Sequence, residues 1–341
     1  GRLTRTTDPN GLVTVMTYTP RGWLKTLTAG GETTVFDYDN IGQLIRHTRP
    51  DASFIRYEYD DAHRLTDIVL MDDSRLHYTL DPAGNRTREE ILDAEGGTAY
   101  LHSREFDALG RLWKDIDAFN HVTEYGYDAT GNRKTIDGPR TDVSDHTTHQ
   151  YDPLNRLKTT LAADGGVTNY AYNTRDELTG LTDPAGQSTD LTRNVFNGGA
   201  RIIDSPDTGI TTRSFDEAGN PKTETDARGV TVTYTWDALN RLTGKSTSDP
   251  ATPTYTYAYD ACAKGKGRLC HTLSNGGIER AYAYNAQGRI KSLTQYGELA
   301  QFAYTWRPGG QLGSLTYPGG RIVTYVYDAF GRVKKITTQA D

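Results

Sequence analysis

The sequence has little of the material that fills a thick hydrophobic core. Among 341 residues there are only 2 Met and 2 Cys, hydrophobic residues make up 35%, and the mean hydropathy is −0.67. No run approaches the length of a membrane span, and the first residues, Gly1–Thr4, lack the apolar segment of a signal peptide. These shortages exclude large globular cores and membrane-spanning helices.

The chain also lacks an excess of basic charge. Its net charge is −6 and its pI about 5.8, with acidic and basic residues interspersed, so no basic stripe for nucleic acid is indicated. What the sequence has in abundance is 35 Gly and 22 Tyr. Aromatic residues in regular alternation provide burial that disordered segments lack, so we predict a thin, tyrosine-faced β structure.

One nine-residue motif organises the chain, and its clearest copy covers residues 325–333, Tyr-Val-Tyr-Asp-Ala-Phe-Gly-Arg-Val. The Tyr-x-Tyr half alternates as a strand with one selected face does. The Asp-x-x-Gly half is typical of a type I turn followed by a left-handed residue, a common three-residue hairpin loop. We therefore expect a hairpin in which Asp328 lies opposite Arg332 and Tyr327 lies opposite Val333.

The motif recurs fifteen times when its second aromatic position, here called the anchor, is followed along the chain. Neighbouring anchors are 19 to 26 residues apart, a period typical of repeat architectures. We interpret the anchors as structural residues. They are Tyr18, Tyr38, Tyr59, Leu80, Phe106, Tyr127, Tyr151, Tyr172, Phe196, Phe215, Trp236, Tyr259, Tyr284, Trp306 and Tyr327.

Two further motif positions are selected for the turn. The residue after the anchor is Asp or Asn in thirteen copies, and the fourth residue after it is usually Gly, which accepts positive φ. Ala200 fits that position poorly. The Asp residues include Asp39, Asp60, Asp128, Asp152, Asp237, Asp260 and Asp328. The fourth residue is Gly22, Gly42, Gly84, Gly110, Gly131, Gly219, Gly288, Gly310 or Gly331 in nine copies, and His63, Asn155, Asp176 or Asn240 in four. We predict positive φ at Gly84, Gly110, Gly131 and Gly331.

A second turn separates consecutive motifs, as in residues 8–11, 183–186, 226–229 and 317–320. Alternating β-branched and aromatic residues follow it, so each repeat is predicted to contain two strands and two turns, without a helix. Longer inter-strand loops are expected at residues 92–99, 138–148 and 246–254. Because the repeat resumes in phase after each of them, we interpret residues 1–341 as one array.

Candidate catalytic and metal-binding residues are few. The recurrent Asp residues occupy turn positions and the glycines are explained by turns, so we expect no catalytic residue, no cofactor and no metal. His146 and His149 could grip a metal on a helix, but they lead into a predicted strand, where residues three apart face opposite sides. The aromatic ladder could bind sugar by stacking, but packing along the ribbon is the preferred interpretation.

Two cysteines, Cys262 and Cys270, flank a lengthened hairpin turn. Their spacing suits a disulfide that closes the turn, but two free thiols are an equal alternative. A disulfide would indicate an oxidising compartment.

Tyr-x-Tyr-Asp-x-x-Gly-Arg-Leu at a period of about twenty-one residues, with Asp-Pro-x-Gly turns between, resembles the YD repeats of the RHS protein family. That family includes bacterial polymorphic toxins, the cocoon-forming components of Tc toxins, wall-associated bacterial proteins and teneurins. The resemblance covers essentially the whole chain. Since the chain begins with Gly1-Arg2-Leu3, the tail of the motif, we interpret it as a fragment of a larger protein.

The resemblance implies an all-β hairpin ribbon that curves into a segment of a hollow shell. It implies a non-catalytic role in a secreted or delivered bacterial toxin, where the rest of the RHS shell, a C-terminal toxic cargo and a delivery machinery would be its partners. The alternative is a cell-surface or secreted adhesin that binds carbohydrate or protein through the ribbon. Fifteen repeats predict about thirty strands and, at roughly 4.8 Å each, a ribbon about 144 Å long that forms a curved wall.

Overall fold

The computed structural model describes residues 1–193, 199–274, 280–296, 300–328 and 331–339. Within these residues the chain is all-β, as the sequence predicts: it has 31 strands and no helix. A helix capable of crossing a membrane is accordingly not found in the described ranges.

The strands are short, most of them five to seven residues, as expected for a chain with a turn every ten residues or so. In chain order they are β1 Arg5–Thr7, β2 Val13–Tyr18, β3 Leu24–Ala29, β4 Glu32–Tyr38, β5 Leu44–Thr48, β6 Phe54–Tyr59, β7 Leu65–Leu70, β8 Arg75–Leu80, β9 Arg86–Leu92, β10 Thr98–Phe106, β11 Leu112–Ile116, β12 Val122–Tyr127, β13 Arg133–Asp137, β14 Thr147–Tyr151, β15 Leu157–Leu161, β16 Val167–Tyr172, β17 Leu178–Thr182, β18 Ser188–Arg193, β19 Ala200–Ser205, β20 Gly209–Phe215, β21 Pro221–Thr225, β22 Thr231–Trp236, β23 Leu242–Thr247, β24 Tyr255–Tyr259, β25 Leu269–Ser274, β26 Arg280–Tyr284, β27 Ile290–Gln295, β28 Ala300–Trp306, β29 Leu312–Thr316, β30 Ile322–Tyr327 and β31 Val333–Gln339.

The chain divides into two compact units. Unit 1 consists of Gly1–Thr79, Glu90–Tyr100 and Tyr255–Asp341, and unit 2 of Leu80–Glu89 and Leu101–Thr254. In unit 1, strands β1 to β8 and β24 to β31 pair antiparallel with their neighbours in the sequence. In unit 2, β11 to β23 do the same.

The hydrophobic core is thin. Among the described residues, Val69 and Cys270 are 0% exposed, Leu70 and Tyr78 5% and Val323 7%, and most other strand residues are half-buried. All five of these side chains lie in unit 1. Such a core agrees with a sequence in which only 35% of residues are hydrophobic.

The predicted turn geometry is confirmed. The φ angles of Gly84, Gly110, Gly131 and Gly331 are +93°, +75°, +92° and +80°. The same conformation is held in four copies by non-glycine residues of the types that tolerate it. They are His63, Asn155, Asp176 and Asn240, with φ between 58° and 64°.

The predicted register is also confirmed in the last motif. Tyr327 pairs with Val333, and the N–H of Asp328 donates to the carbonyl of Arg332 at 2.9 Å. One feature was not predicted: the register shifts between Val326 and Tyr327, so the return strand carries an extra residue. The shift recurs beside the anchors of other motif hairpins and is a β-bulge, which increases the local strand twist.

The predicted anchor Phe196 lies outside the described residues. In the described part of this hairpin, Arg193 pairs with Ala200 on the return strand. The backbone of Ala200 therefore belongs to β19 and not to a left-handed turn position. Sequence reasoning followed the aromatic side chain, whereas this repeat uses an arginine.

The expected long loop at residues 92–99 is also shorter than predicted. Strands β9 and β10 extend to Leu92 and from Thr98, which leaves a tight turn at Asp93–Gly97. The N–H of Asp93 donates to the carbonyl of Gly97 at 2.9 Å, and Gly96 has φ +85°. The segment is thus a turn of the kind that separates consecutive motifs, and it lies between longer strands.

Candidate functional site: the repeat turns and their edges

The Asp residue of each motif turn organises its loop by accepting several hydrogen bonds. In the copy at Asp128, Oδ1 accepts from the N–H groups of Thr130 and Asn132, both at 2.9 Å, and Oδ2 accepts from the Asn132 amide at 3.0 Å. The Asp-x-x-Gly pattern predicts the turn, but it does not reveal the second backbone bond, to the residue four positions on. Both N–H groups would otherwise lack a partner in the loop.

The motif arginine, predicted opposite the Asp, completes the turn in several copies. Arg156 donates from Nε to Oδ2 of Asp152 at 2.7 Å, and its Nη1 reaches Asp176 of the next motif turn at 2.8 Å. Arg332 contacts Asp328 in the same way at 2.8 Å. The arginine therefore closes its own turn and, at Arg156, also links neighbouring repeats.

These hydrogen bonds favour the ionised carboxylates. The backbone N–H of Arg241, together with its guanidinium, holds the pKa of Asp237 below its usual value. Desolvation acts to raise the pKa of Asp128, but donors from Asn132 and Thr130 outweigh it and lower that pKa to about 2. The turn carboxylates are thus fixed acceptors, the opposite of a group poised to exchange a proton near neutral pH.

The anchor side chains are not only packing residues. The hydroxyl of Tyr127 donates to the carbonyl of Leu112, fifteen residues upstream, at 2.8 Å. We call this bond the anchor latch, and it ties a motif hairpin to the first residue of the preceding return strand. Equivalent donors and acceptors are Tyr18 and Leu3, Tyr59 and Leu44, Tyr172 and Leu157, Tyr284 and Leu269, Tyr327 and Leu312, Trp236 and Pro221, and Arg193 and Leu178, all fifteen residues apart.

The latch explains which residues fill the anchor position. Tyr, Trp and Arg all combine a large apolar surface with an N–H or O–H at the far end. Tyr151 and Trp306 make related bonds to Arg133 and Ile290 at 2.8 Å and 2.7 Å. Most anchors are Tyr or Trp, which carry a hydrogen-bond donor, and not Phe, which carries none. This preference is the signal in the sequence that could have revealed the latch.

The predicted anchors Tyr38 and Tyr259 also lie where the motif places them. Tyr38 pairs with Leu44 and packs its ring 5.4 Å from that of Trp23, and Tyr259 pairs with Leu269. The turns that follow them begin at Asp39 and Asp260, which accept the N–H groups of Gly42 and Gly267. Asp60 accepts from Arg64 at 2.7 Å.

A second set of contacts within unit 1 joins turns that are far apart in sequence. Asn10 lies in the turn of residues 8–11, one of the turns that separate consecutive motifs. Its side chain donates to the carbonyl of Lys266 at 3.0 Å and accepts from the Lys266 N–H at 2.8 Å. The Lys264 ammonium donates to the Asn10 carbonyl at 2.7 Å. A second turn near the start of the chain therefore abuts a motif turn 256 residues later.

The same arrangement recurs one repeat further on. Arg289 clamps Glu32 with two hydrogen bonds of 3.1 Å and 2.9 Å, and the N–H of Gly309 adds a third at 3.3 Å. Gln287 donates to the carbonyl of Gly30 at 3.2 Å, again 257 residues apart. We call these contacts, centred on Asn10 and Glu32, the edge seam.

The edge seam is electrostatically well matched. The side chains of Glu32 and Arg289 are 22% and 21% exposed, so their ion pair is shielded from bulk water. The guanidinium of Arg289 lowers the pKa of Glu32, with a smaller contribution from the Gly309 N–H. Bidentate arginine–carboxylate pairs of this kind fix orientation as well as attraction.

The histidines suspected of metal binding do not come together. His149 lies on β14 with Nδ1 3.1 Å from the hydroxyl of Thr160, whereas His146 precedes the strand with Nδ1 3.6 Å from Asp137. Among the described residues, no group of three or more His, Cys, Asp or Glu is arranged to hold a metal. Cys262 and Cys270 form a disulfide, the first of the two alternatives left by the sequence.

Comparison with known proteins places this geometry in a class, the YD-repeat shells. Residues 1–182 match the Teneurin YD-shell family, and residues 215–252 and 309–341 match the RHS repeat. Because the first match covers more than half of the chain, the chain belongs to the YD-shell family.

The relatives are large bacterial proteins. The chain is 25% identical over 211 residues to the tRNA3(Ser)-specific nuclease WapA of Bacillus spizizenii, covering 54% of this chain and 8% of that protein. It is 28% identical over 263 residues to the probable deoxyribonuclease RhsB of Dickeya dadantii, covering 72% of this chain and 16% of the relative. The chain therefore spans less than a fifth of the length of these proteins.

Solved structures show the same fold. The crystal structure of TcdB2-TccC3 matches 97% of this chain and 22% of its own chain, with a TM-score of 0.63 and 15% identity. The version without the hypervariable C-terminal region matches 94% and 21%, with a TM-score of 0.62 and 15% identity.

Proposed function

We propose that this chain is a non-catalytic wall segment of the shell of a bacterial RHS-type toxin, and that the shell encloses a C-terminal toxic domain of the parent protein. The remaining shell and the cargo are then its partners, and the parent is secreted or delivered out of the producing cell. The wall itself needs no cofactor, because its polar groups serve turns, latches and the seam.

The edge seam is the observation that carries this proposal. Its two central contacts, Asn10 with Lys266 and Glu32 with Arg289, join residues 256 and 257 positions apart, so the offset is preserved from one repeat to the next. A preserved offset is the contact pattern expected where one turn of a coiled ribbon lies along the next. The anchors beside the two contacts, Tyr18 and Tyr259 in one case and Tyr38 and Tyr284 in the other, are eleven repeats apart in both cases.

The comparisons support the same role. The named activities of the relatives, a tRNA nuclease and a probable deoxyribonuclease, belong to proteins of which this chain matches only 8% and 16%. Turn carboxylates with lowered pKa values are poor acid–base catalysts near neutral pH. We therefore assign the chemistry to other parts of such proteins and containment to this one.

Protease protection of the full-length parent tests the proposal. The wild-type parent should shield its C-terminal domain from added protease, and Arg289→Glu, which places like charges at the seam, should expose it. Arg228→Glu is the matched control, because Arg228 is largely exposed and contacts Asp226 of its own turn. Equal cleavage of the C-terminal domain in all three proteins would contradict enclosure.

Assays of the isolated chain provide the second test. We expect no hydrolase activity and no stoichiometric metal. Zinc at molar equivalence by elemental analysis, or hydrolysis that co-purifies with the folded chain, would overturn the non-catalytic assignment. Specific retention on a carbohydrate array would instead support the adhesin alternative.

A further inference from the structure

The lengthened motif turn between β24 and β25 takes its shape from the disulfide. Cys262 and Cys270 close it across a sequence separation of 8, with Cα atoms 5.5 Å apart. The backbone of Gly265 lies directly against the two sulfurs, and a methyl group at this position would overlap both. The loop and the disulfide therefore form one packed unit.

The same loop supplies the first contact of the edge seam. The three seam hydrogen bonds of Asn10 are all made with Lys264 and Lys266, which lie between the two cysteines. Lys264 holds φ +58°, a conformation that non-glycine residues avoid unless their surroundings impose it. The disulfide thus holds the strained loop in the shape that fits Asn10.

We propose that the Cys262–Cys270 disulfide is a redox-controlled clamp on the edge seam. While it is oxidised, the loop is held in the conformation that binds Asn10. A dithiol reductant opens it, the loop gains conformational freedom, and this end of the seam loosens. The inference concerns the seam contact itself and stands whether or not the shell holds a cargo.

The exchange chemistry follows from the exposure of the two sulfurs. Cys270 is 0% exposed and Cys262 is partly exposed, so a thiolate of the reductant attacks Sγ of Cys262. The bond to Sγ of Cys270 breaks, and that sulfur leaves as a thiolate, stabilised by the Cys262 N–H at 2.9 Å, and then takes a proton. The second thiolate of the reductant displaces Cys262 as its thiolate, which takes a proton in turn, so two electrons and two protons are transferred and the reductant becomes a disulfide.

Hydrogen–deuterium exchange on the folded chain, with and without dithiothreitol, tests the clamp. The Lys266 amide reports directly, because its N–H donates to Asn10, and the adjacent peptide around residues 8–12 reports the other side. Reduction should raise exchange at both by about fivefold or more, while the β24 amides stay protected. In the Cys262→Ser/Cys270→Ser double variant, exchange should be raised already and be insensitive to reductant.

Two results would overturn the proposal. One is unchanged exchange at Lys266 and residues 8–12 after alkylation has shown both thiols to be free. The other is an equal rise throughout β24 and β25, which would make the disulfide a general requirement of the hairpin. Asn10→Ala distinguishes the loss of the Asn10 hydrogen bonds from a change in the disulfide-closed loop. This variant should raise exchange at Lys266 in the oxidised protein, and reduction should then add little at this amide.

Discussion

The hydroxyl of Tyr127 donates a 2.8 Å hydrogen bond to the carbonyl of Leu112, fifteen residues earlier in the chain. This bond joins one repeat to the preceding one at the place where the β-bulge turns the strand. A thin sheet with few buried side chains gains stability from such repeated polar contacts between neighbouring repeats.

Removing the latch hydroxyl should cost stability without changing the fold. Tyr127→Phe keeps the ring but leaves the Leu112 carbonyl without this donor, so we expect a loss of about 1 kcal/mol in the free energy of unfolding. Urea unfolding followed by tyrosine fluorescence measures it. Tyr125→Phe is the control, since the Tyr125 ring packs on Arg133 and makes no latch. Equal effects of the two changes would argue against the latch.

Substitution at the left-handed turn position should lower stability through backbone strain. Gly131 has φ +92°, and a side chain added there would meet nothing within 4 Å, so substitution tests backbone strain alone. Gly131→Val should destabilise by more than about 1 kcal/mol, because a β-branched residue resists this conformation. Gly131→Asn, the residue type found at Asn155, should cost much less. An unchanged melting curve for Gly131→Val would contradict the register.

The turn carboxylates predict how stability depends on pH. The pKa of Asp128 is lowered to about 2 in the folded chain, and those of Asp60, Asp107 and Asp237 are lowered as well. A carboxyl whose folded pKa is depressed stabilises the fold above its unfolded pKa and loses that contribution as the pH falls through the folded value. The urea midpoint should therefore be level above about pH 5 and fall between about pH 4 and pH 2.

Asp128→Asn provides the matched test of this pH dependence. Asn173 and Asn285 already fill the position. The side-chain oxygen of Asn173 accepts the N–H groups two and four residues on, and that of Asn285 accepts the N–H group four residues on. The variant should fold and should show a shallower loss of stability in acid than the wild type. A slope identical to that of the wild type would exclude Asp128 as a contributor.

The ion pair at the edge seam predicts energetic coupling between distant residues. Glu32→Gln and Arg289→Gln should each destabilise unit 1, and the double variant should be less destabilised than the sum of the two, with a coupling of about 1 kcal/mol or more. Arg228→Gln combined with Asp226→Asn is the control, because that pair lies within one exposed turn. Additive effects of the Glu32 and Arg289 changes would mean that their contact is absent in solution.

The local fold could be predicted because each repeat encodes it in a few residues. Alternating Tyr-x-Tyr and the Asp-x-x-Gly turn determine strand, loop and register together, so the positive φ at Gly331 and the pairing of Tyr327 with Val333 followed directly. Arg193 was missed because the search followed aromatic residues, whereas the position requires a long side chain with a donor at its tip.

The long-range contacts could not be predicted from the sequence. Nothing local marks Glu32 as the partner of Arg289, since their pairing depends on how far the chain travels before the two turns meet. The same holds for Asn10 and the loop around Lys266. Sequence patterns report local turns and strand alternation, but they do not report sheet twist.

Cryo-electron microscopy of the full-length parent protein would show whether this chain is a shell wall. We expect residues 1–341 to form part of a wall around an interior space, Glu32 and Arg289 to meet along the edge seam, and density for the C-terminal domain to lie inside. A filled β-solenoid or a pair of compact sandwiches for residues 1–341, with the C-terminal domain outside them, would rule out a containing wall.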